Sequence, residues 1–542
     1  MIKFQQNENV LGGIVMGQVT QAIQEGKTAL GIELGSTRIK AILIDDEQNV
    51  IASGNYEWEN QLKDGIWTYD LEEVWNGIQS AYSELAAKVQ KQYGIALTTI
   101  GSIGISAMMH GYLAFDQENQ LLVPFRTWRN TITHQAASLL SDAFEFNIPE
   151  RWSIAHLYQA MLNKEPHVAN ISYLTTLSGY VHWCLTGEKV LGVGDASGMF
   201  PIDAKTADYR QAFLEQFDRL VSEQVPWQLV TRLPKVLSAG QVAGSLTQEG
   251  AKRLDPTGVL EAGIPLCPPE GDAGTGMVAT NSIAPKTGNV SAGTSIFSMV
   301  VLEQDLNSQY PEIDIVTTPV GDNVAMVHAN NCSSDINAWV KLFHEYSQFL
   351  NPQQTLSDTY ALLFNQALEG DKDCGDVMSI GYFSGESITN VQEGRPLVIR
   401  TPESRLTVGN LMRSHILSAF TTLAIGMEIL TEKEQIKIEQ ILGHGGIFKT
   451  PRVAQTLLAA SINTPVSVME TAGEGGAWGI ALLADYLKYS EMSLAQYLDE
   501  IVFKNTGIET IEPNEADVEG FKRFKQQFKS VIQVEKIAGE VL

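Results

Sequence analysis

Two stretches of the chain share one pattern of apolar and polar positions: a strand, a glycine-containing turn and a second strand. The first stretch covers residues 29–45 and the second covers residues 288–302, and the second strand of each is rich in Ile, Val or Leu. Short apolar runs bounded by turn residues are typical of buried strands. Because the recurrence has no fixed period of roughly 20–50 residues, it predicts two related α/β lobes rather than a solenoid.

Helical spacing dominates the remainder of the chain. Apolar side chains recur about every four residues over 71–93, which predicts a helix, and 100–106 are predicted to form a buried strand. The middle of the chain, about 130–250, is mainly helical by pattern. The other predicted helices are Gln18–Gln24 in a polar leader and, towards the C-terminus, Met412–Leu430, Pro451–Ile462 and Phe521–Ile532.

The length and composition favour a globular protein of more than one domain. The 542 residues are too many for a single hydrophobic core, and 44% hydrophobic with 18% charged residues is ordinary for folded proteins. We expect an N-terminal extension over 1–28, a first domain over 29–282 and a second domain over 283–542.

The net charge of −26 argues against a nucleic-acid partner and against an anionic membrane surface. A polyanionic ligand would therefore have to be bound locally, by backbone N–H groups, a few cations and a metal ion.

The four cysteines lie far apart without a C-x-x-C pair, so neither a zinc site nor a disulfide framework is predicted. The apolar stretch Val10–Val19 is broken by Gly and Gln and lacks the flanks of a signal peptide or membrane helix. We expect a soluble, cytoplasmic protein.

The two glycine-containing turns are candidate phosphate sites. A tight turn with glycine brings consecutive N–H groups close to a phosphate, since no Cβ blocks the approach. One such turn is more often an ordinary β-turn, but two of them, each opening a lobe, favour phosphate binding. The residues concerned are Gly35, Ser36, Thr37 and Lys40 in the first stretch, and Gly293, Thr294 and Ser295 in the second.

Three further segments carry candidate chemistry. Asp272, flanked by glycines, is either a catalytic carboxylate at a strand end or a turn Asp that bonds its own backbone. His110 follows the predicted strand 100–106, where α/β folds collect ligands, although a buried structural histidine is the more common case. Gly445 and Gly446 precede a predicted helix and suit a flat nucleoside lying against the backbone, with a flexible loop as the alternative.

In order and content these motifs resemble the FGGY carbohydrate kinases, which belong to the actin-like ATPase superfamily. The resemblance runs from about Ala29 to about Leu487. The motifs that carry it are the first phosphate motif Glu33–Lys40, the segment Gly65–Trp75, the sugar-site stretches Met109–Gly111 and Thr127–Asn130, the segments Leu185–Glu188 and Asp195–Ser197, the Gly271-Asp272 pair, the second phosphate motif Ser291–Ser295, the signature Ser384–Glu386 and the adenosine loop around Gly445, Gly446, Lys449 and Gln455.

The resemblance implies an α/β fold of two actin-like (ribonuclease H-like) domains with a cleft between them. It also implies an enzyme that transfers phosphate from ATP to a sugar hydroxyl with the help of Mg²⁺. Asp272 would be the catalytic base, and Met109, His110, Trp128 and Asp272 would bind the sugar. ATP would be bound by Gly35, Ser36, Thr37, Lys40, Gly293, Thr294, Gly445, Gly446 and Lys449, and Glu33 would hold the metal.

Several positions depart from the family pattern. Glu33 stands where the family has Asp, and Mg²⁺ can still be held through water. Asn130 and Ile132 replace a carboxylate and an Arg of the sugar site. By resemblance D-xylulose is the first candidate substrate, with L-ribulose and gluconate as alternatives. Two other function classes are an actin-like ATPase that activates a partner enzyme and a ligand-binding regulator without turnover. The oligomeric state is open between monomer and homodimer.

Overall fold

The computed structural model of this protein describes residues 16–469 and 475–541. The chain forms two compact units. The first unit comprises the chain up to Asn281 together with Ile315–Asn323 and a segment that ends at Asn505. The second unit comprises Ser282–Asp314, a segment that begins at Val324 and the C-terminal segment from Thr506. Residues 16–24 are helical, as predicted for Gln18–Gln24, and the leader before residue 16 lies outside the described residues.

A five-stranded sheet forms the centre of the first unit. Its strands are β1 (Ala29–Leu34), β2 (Arg38–Ile44), β3 (Val50–Glu57), β4 (Ser102–Ala107) and β5 (Glu270–Gly271), in the order β5-β4-β1-β2-β3. The predicted strand–turn–strand is therefore confirmed as the antiparallel pair β1–β2, in which Glu33 lies opposite Lys40. β1, β4 and β5 run parallel to one another. Their carboxyl ends thus meet at one edge of the sheet, where the candidate residues of this unit cluster.

The helix Leu71–Tyr93 covers one face of this sheet and matches the predicted range. Asp70 caps its N-terminus by accepting a hydrogen bond from the N–H of Glu72, and Gly94 ends it with a positive φ of 71°. Its apolar face packs closely on β3, because a Cβ on Gly54 would lie 1.9 Å from the carbonyl oxygen of Ala81.

The rest of the first unit is helical with short strands, as the pattern over 130–250 predicts. The helices are His134–Phe144, Ser153–Leu162, Pro166–Asn170, Leu177–Thr186, Val193–Ala196, Gln211–Val221, Leu229–Thr231, Gln248–Leu254, Asp272–Ala279, Gly475–Asp485, Tyr486–Tyr489, Leu494–Tyr497 and Leu498–Val502. The short strands are Gln61–Lys63, Ile66–Thr68, Leu113–Phe115, Tyr173–Thr175, Val190–Gly192, Ile202–Asp203, Asp208–Tyr209 and Lys235–Leu237.

A seven-stranded sheet, whose residues belong to the second unit except for Ile315–Thr317 and Asn323, forms the centre of that unit. Its strands are β6 (Thr287–Ala292), β7 (Ile296–Val301), β8 (Ile313–Thr317), β9 (Asn323–Ala329), β10 (Gln440–His444), β11 (Val466–Met469) and β12 (Ile508–Ile511), in the order β8-β9-β7-β6-β10-β11-β12. The antiparallel pair β6–β7 is the second predicted strand–turn–strand. β10 runs parallel to β6, so that His444 lies opposite Ser291.

Helices flank this second sheet. They are Ser333–Leu350, Leu356–Glu369, Cys374–Asp376, Ser387–Thr389, Val408–Glu428, Ile429–Lys433, Gly446–Lys449, Val453–Ile462 and Glu515–Val541, and a short hairpin is formed by Val377–Ile380 and Leu397–Arg400. The stretch Val408–Lys433 is the one described helix long and apolar enough to cross a membrane, and it is mostly buried inside the protein. The aromatic stripe of the terminal helix, Phe521, Phe524 and Phe528, is buried in the unit.

Candidate functional site

Two aromatic side chains bind the carbonyl groups of the turn between β1 and β2. The indole N–H of Trp58 donates to the carbonyl oxygen of Gly35 at 2.7 Å, and the Tyr69 hydroxyl donates to that of Ser36 at 2.6 Å. In a trans peptide the C=O and the following N–H point in opposite directions. The N–H groups of Ser36 and Thr37 therefore point away from these rings, and both residues are exposed. This is the arrangement that a phosphate-binding turn requires.

Trp58 and Tyr69 were not among the residues predicted from the sequence. Their rings stack with centroids 4.2 Å apart and both are buried. Each apolar ring carries one donor, and the donor is used on a carbonyl of the turn. The pair thus fixes the backbone of this turn through two carbonyl groups.

Glu33 lies at the end of β1 and accepts a hydrogen bond from the main chain of another element. Its Oε2 accepts from the N–H of Ala477, at the start of the helix Gly475–Asp485, at 3.0 Å. A Cβ on Gly476 would lie 2.4 Å from Oε1, so this glycine makes room for the carboxyl group. Burial, and next the neighbouring Asp272, raise the pKa of Glu33 to about 7.

Asp272 is the first residue of the helix Asp272–Ala279 and follows β5 directly. It is exposed, and its Oδ1 accepts a hydrogen bond from the N–H of Met109 at 3.1 Å. The protein atoms around the carboxyl group exclude water from it, and this desolvation raises the pKa of Asp272 above its ordinary value. The structure thus brings Asp272, Glu33 and Met109 together at the carboxyl ends of β1, β4 and β5.

His110 joins this cluster in a constrained conformation. Its φ is 69°, it is almost fully buried, and its ring stacks on Trp152 at a centroid distance of 6.4 Å. Nδ1 lies 3.3 Å from the carbonyl oxygen of Gly198, so it carries the proton in that hydrogen bond. Burial lowers the pKa of His110 well below its usual value, which keeps the ring neutral. A neutral imidazole can still donate or accept one hydrogen bond through Nε2.

The segment of Trp128 contains the two positions, Asn130 and Ile132, that depart from the family pattern. Trp128 is 39% exposed, so its ring is available to a ligand. Asn130 is buried and forms a paired contact with Trp67: its Oδ1 accepts from the N–H and its Nδ2 donates to the carbonyl, both at 2.8 Å. Ile132 is 42% exposed. Asn130 thus binds main chain, and no charged side chain occupies these two positions.

Two buried carboxyl groups lie near Asp272: Glu270, which was not predicted, and Asp195, which lies in the family segment Asp195–Ser197 but was not predicted as a site residue. Glu270 accepts main-chain hydrogen bonds from Gly194 and Asp195. Asp195 accepts hydrogen bonds from the hydroxyls of Thr176 and Ser178 through Oδ2. Burial is the main reason that the pKa is raised to about 8 for Glu270 and to about 7 for Asp195. The sequence signals are the placement of Glu270 two positions before Asp272 and the place of Asp195 in the family segment Asp195–Ser197.

The second unit contains a turn of the same design as the first. The carbonyls of Gly293 and Thr294 accept hydrogen bonds from the N–H groups of Ser333 and Cys332, at 3.1 and 3.0 Å. Because these carbonyls are held, the N–H groups of Thr294 and Ser295 point the other way. Gly293 and Thr294 are exposed. Here the start of a helix does what Trp58 and Tyr69 do in the first unit.

The predicted adenosine loop lies against this second turn. Gly445 has a φ of 109°, and a Cβ on it would lie 2.2 Å from the carbonyl oxygen of Ala292, so only glycine fits. The space beside Gly446 is open, and Lys449 is exposed at the end of the short helix Gly446–Lys449. The second unit therefore brings Gly293, Thr294, Gly445 and Gly446 together. In the first unit Lys40 lies on β2, opposite Glu33.

Two protein-family models match this chain. Residues 28–278 match the model of the N-terminal domain of the FGGY family of carbohydrate kinases, and residues 288–487 match that of its C-terminal domain. A xylulose kinase of Haemophilus influenzae is 23% identical over 83% of this chain and 89% of its own. Among solved structures, a xylulose kinase from Lactobacillus acidophilus has a TM-score of 0.75 at 17% identity, covering 94% of this chain and 98% of its own. A gluconate kinase from the same organism also scores 0.75, at 16% identity, covering 95% and 99%.

Proposed function

This chain belongs to the FGGY family of carbohydrate kinases, and from this premise we propose that it phosphorylates a ketopentose with ATP, D-xylulose being the first candidate. The acceptor hydroxyl would attack the γ-phosphorus as its proton passes to Asp272. A bond would form between the sugar oxygen and phosphorus, and the bond from phosphorus to the β,γ-bridging oxygen would break. The products are the sugar phosphate and ADP.

The observation that carries the proposal is the environment of Asp272. It is the exposed carboxylate of the cluster, and the N–H of Met109 fixes its Oδ1 at 3.1 Å. An acceptor hydroxyl could approach its other oxygen. Proton acceptance by a positioned carboxylate of this kind contributes about 10²–10⁴-fold to a rate, and phosphoryl transfer needs little activation of its nucleophile.

Backbone N–H groups and lysine side chains would stabilise the negative charge of ATP. We assign its phosphates to the turns at Gly35–Thr37 and Gly293–Thr294, with Lys40, and its nucleoside to Gly445, Gly446 and Lys449. These residues are exposed or half-buried, and the carbonyls of both turns are held from behind. Backbone N–H groups of such turns are well suited to anions.

Mg²⁺ is the metal that the family implies, and the residues present fit it. Among the described residues, no group of three or more His, Cys, Asp or Glu side chains could hold a metal ion. Mg²⁺ does not need such a cage, because it is usually held by one or two carboxylates, substrate phosphates and water. Glu33 would hold it, with Asp272 as its carboxylate neighbour. When bound, it neutralises phosphate charge.

The acceptor is proposed from the sugar-site stretch and from the names of similar proteins. Met109-His110-Gly111 resembles the xylulose kinases, and the relative from Haemophilus influenzae bears that name. L-Ribulose and gluconate are the alternatives, the latter because a gluconate kinase shares the fold at the same TM-score. Asn130 and Ile132, which offer no charge, favour an uncharged sugar over an aldonate.

The competing class is an ATPase of the same superfamily that acts without a sugar. Loss of the sugar-site carboxylate and Arg is the observation in its favour. It predicts ADP release that no sugar stimulates. A sugar kinase predicts ADP release that depends on one acceptor, so the two classes separate in a single assay.

The test is a coupled ADP-release assay over D-xylulose, D- and L-ribulose, gluconate, glycerol and other polyols. We expect D-xylulose to give the highest kcat/KM. Asp272→Asn serves as the control, since an asparagine Oδ1 can keep the bond from Met109 but cannot take a proton. Equal ADP release with every acceptor and with none would refute the sugar kinase and support the ATPase.

We place the enzyme in the cytoplasm, where its four free cysteines would stay reduced. Its partners would be the sugar and ATP rather than nucleic acid or membrane, since the charge is −26. Size-exclusion chromatography with light scattering would decide between a monomer and a homodimer.

A further inference from the structure

Glu270 occupies an enclosed site built from main-chain groups. It is 2% exposed, and its two oxygens accept hydrogen bonds from the N–H groups of Gly194 at 3.2 Å and Asp195 at 2.9 Å. A buried carboxyl group is costly unless its oxygens are hydrogen-bonded. Here both are bonded, and both donors belong to one short segment of chain. The side chain therefore fixes that segment to β5.

The sequence leaves room for this carboxyl group on both sides. A Cβ on Gly192 would lie 2.2 Å from Oε1 of Glu270, and a Cβ on Gly194 would lie 2.5 Å from Oε2. Real Cβ atoms do not approach so closely, so any side chain at either position would push the carboxyl group out. Two glycines and one acidic residue, far apart in sequence, thus form one fitted contact.

The segment that Glu270 holds carries a contact to His110. The carbonyl oxygen of Gly198 lies 3.3 Å from Nδ1 of His110, and a Cβ on Gly198 would lie 2.6 Å from the same atom. The same segment carries Asp195, whose Oδ2 is anchored by the hydroxyls of Thr176 and Ser178. Residues 193–198 are therefore fixed at Glu270, at Asp195 and against His110.

At its other end Glu270 is joined directly to Asp272 through Gly271. A Cβ on Gly271 would lie 2.1 Å from Cγ of Met109, so this part of β5 lies tightly on the strand end that precedes His110. Met109 then binds Asp272 through its N–H. Glu270 thus connects the backbone next to Asp272 with the segment 193–198, which contacts His110 through the carbonyl of Gly198.

We propose that Glu270 is a positioning residue, which sets the proposed base Asp272 and the proposed sugar ligand His110 relative to each other through the segment 193–198. This inference rests on the proposed function. Glu270 itself would touch no substrate. Its effect passes through the N–H groups of Gly194 and Asp195 and the carbonyl of Gly198.

Glu270→Gln tests the proposed positioning role, because it changes the hydrogen bonds to Gly194 and Asp195 with the smallest change in side-chain shape. The amide NH₂ would face one of the two main-chain donors, so one hydrogen bond is lost and the segment moves. A displacement of about 1 Å at a reacting centre can cost up to about 100-fold. We expect kcat with the best acceptor to fall roughly 10–100-fold and the acceptor KM to rise. The KM for ATP should stay within about two-fold, since the nucleotide residues lie on other turns.

Asp255→Asn is the matched control. Asp255 is also buried, at 5% exposure, and its oxygens also accept main-chain hydrogen bonds, from Thr257, Val259 and Leu260. The same chemical change there removes similar contacts at a place unconnected with His110. We expect lower thermal stability with unchanged kcat and acceptor KM. A general loss of stability is thereby separated from positioning.

A second readout needs no activity. The imidazole signals of His110 in the NMR spectrum, assigned with a His110→Asn variant, should shift in Glu270→Gln and stay in place in Asp255→Asn. If wild-type enzyme phosphorylates no acceptor, the proposed function fails and this measurement alone decides the positioning role. Unchanged His110 signals and unchanged kinetics in Glu270→Gln would overturn the proposal.

If Glu270→Gln does not fold, a variant at Gly198 tests the same proposal at the contact between the segment 193–198 and His110. Gly198→Ala places a methyl group 2.6 Å from Nδ1 of His110 without altering Glu270. We expect shifted His110 signals and a raised acceptor KM. A normal acceptor KM with unshifted signals would show that the segment does not position His110, and the proposal would be wrong.

Discussion

Glu33 offers a quantitative test of the electrostatics at the candidate site. Glu33→Gln keeps the size of the side chain and an oxygen that can accept the 3.0 Å hydrogen bond from Ala477. It removes only the ability to ionise. Because the pKa of Glu33 is raised in the folded protein, the folded state binds a proton more tightly than the unfolded chain does. The wild type should therefore lose stability as this carboxyl group ionises.

The sign and size follow from the two pKa values. The pKa is 4.5 in the unfolded chain and about 7 in the folded protein. Below pH 4.5 both states are protonated and the favourable contribution is complete; it is lost as the pH rises towards 7. One pH unit is worth about 1.4 kcal/mol, which sets a ceiling of about 3 kcal/mol. Glu33 is only half-buried, so solvent screening reduces the expected effect to about 1–2 kcal/mol.

The assay is guanidinium unfolding of wild type and Glu33→Gln between pH 4.5 and pH 8.5. Taking the difference between the two proteins cancels most contributions of the other carboxyl groups. We expect nearly equal unfolding midpoints at pH 4.5 and a variant that is more stable by about 1–2 kcal/mol at pH 8. Glu59→Gln, at an exposed position of the same unit, is the control for losing one carboxyl group.

A difference that is the same at pH 4.5 and pH 8 would refute this reasoning. It would mean that Glu33 ionises with an ordinary pKa and that burial beside Asp272 does not destabilise its ionised carboxylate. Added Mg²⁺ with ADP provides a second comparison. If Glu33 holds the metal, these ligands should raise the unfolding midpoint of wild type more than that of Glu33→Gln.

Three further predictions concern other residues. Asp272→Asn should lower kcat about 10²–10⁴-fold at unchanged unfolding midpoint, measured by ADP release and denaturation. Asn130→Asp removes the donor to the carbonyl of Trp67 and should destabilise the protein by about 1–3 kcal/mol in urea unfolding; a gain in acceptor affinity would contradict its structural role. Asp517→Ala leaves the buried Arg413 without its carboxylate partner and should cost about 3–5 kcal/mol by denaturation, whereas a loss below about 1 kcal/mol would show that solvent reaches the guanidinium.

The elements that could be predicted are those whose cause is local in sequence. The helix Leu71–Tyr93 was predicted from apolar side chains spaced about four residues apart, and in the structure Asp70 caps it and Gly94 ends it. Both strand–turn–strand units were predicted, because apolar runs on either side of a glycine turn are a short-range pattern. The order of the motifs was also enough to identify the family, which both domain models confirm.

The parts of the site that could not be predicted depend on contacts between distant segments. Glu270 meets its donors 75 and 76 positions earlier in the chain. Asn130 departs from the family pattern, and the sequence does not reveal that it pairs with Trp67, 63 positions away. Residues that support a turn of the candidate site, such as Trp58, are indistinguishable in the sequence from ordinary core residues. Periodicity and local motifs carry no information about such contacts.

The cluster of carboxyl groups has a consequence for how so acidic a chain could receive ATP. Glu33, Asp195 and Glu270 lie near Asp272, and four charges there would repel a phosphate. Burial raises their pKa values to about 7, 7 and 8, so that these three groups are partly protonated at neutral pH. Desolvation also raises the pKa of Asp272, and the hydrogen bond from the N–H of Met109 to its Oδ1 acts in the opposite direction. Low dielectric surroundings thus reduce the negative charge of this cluster, which favours the proposal that a phosphate of ATP approaches it and is bound by the N–H groups of the turn at Gly35–Thr37.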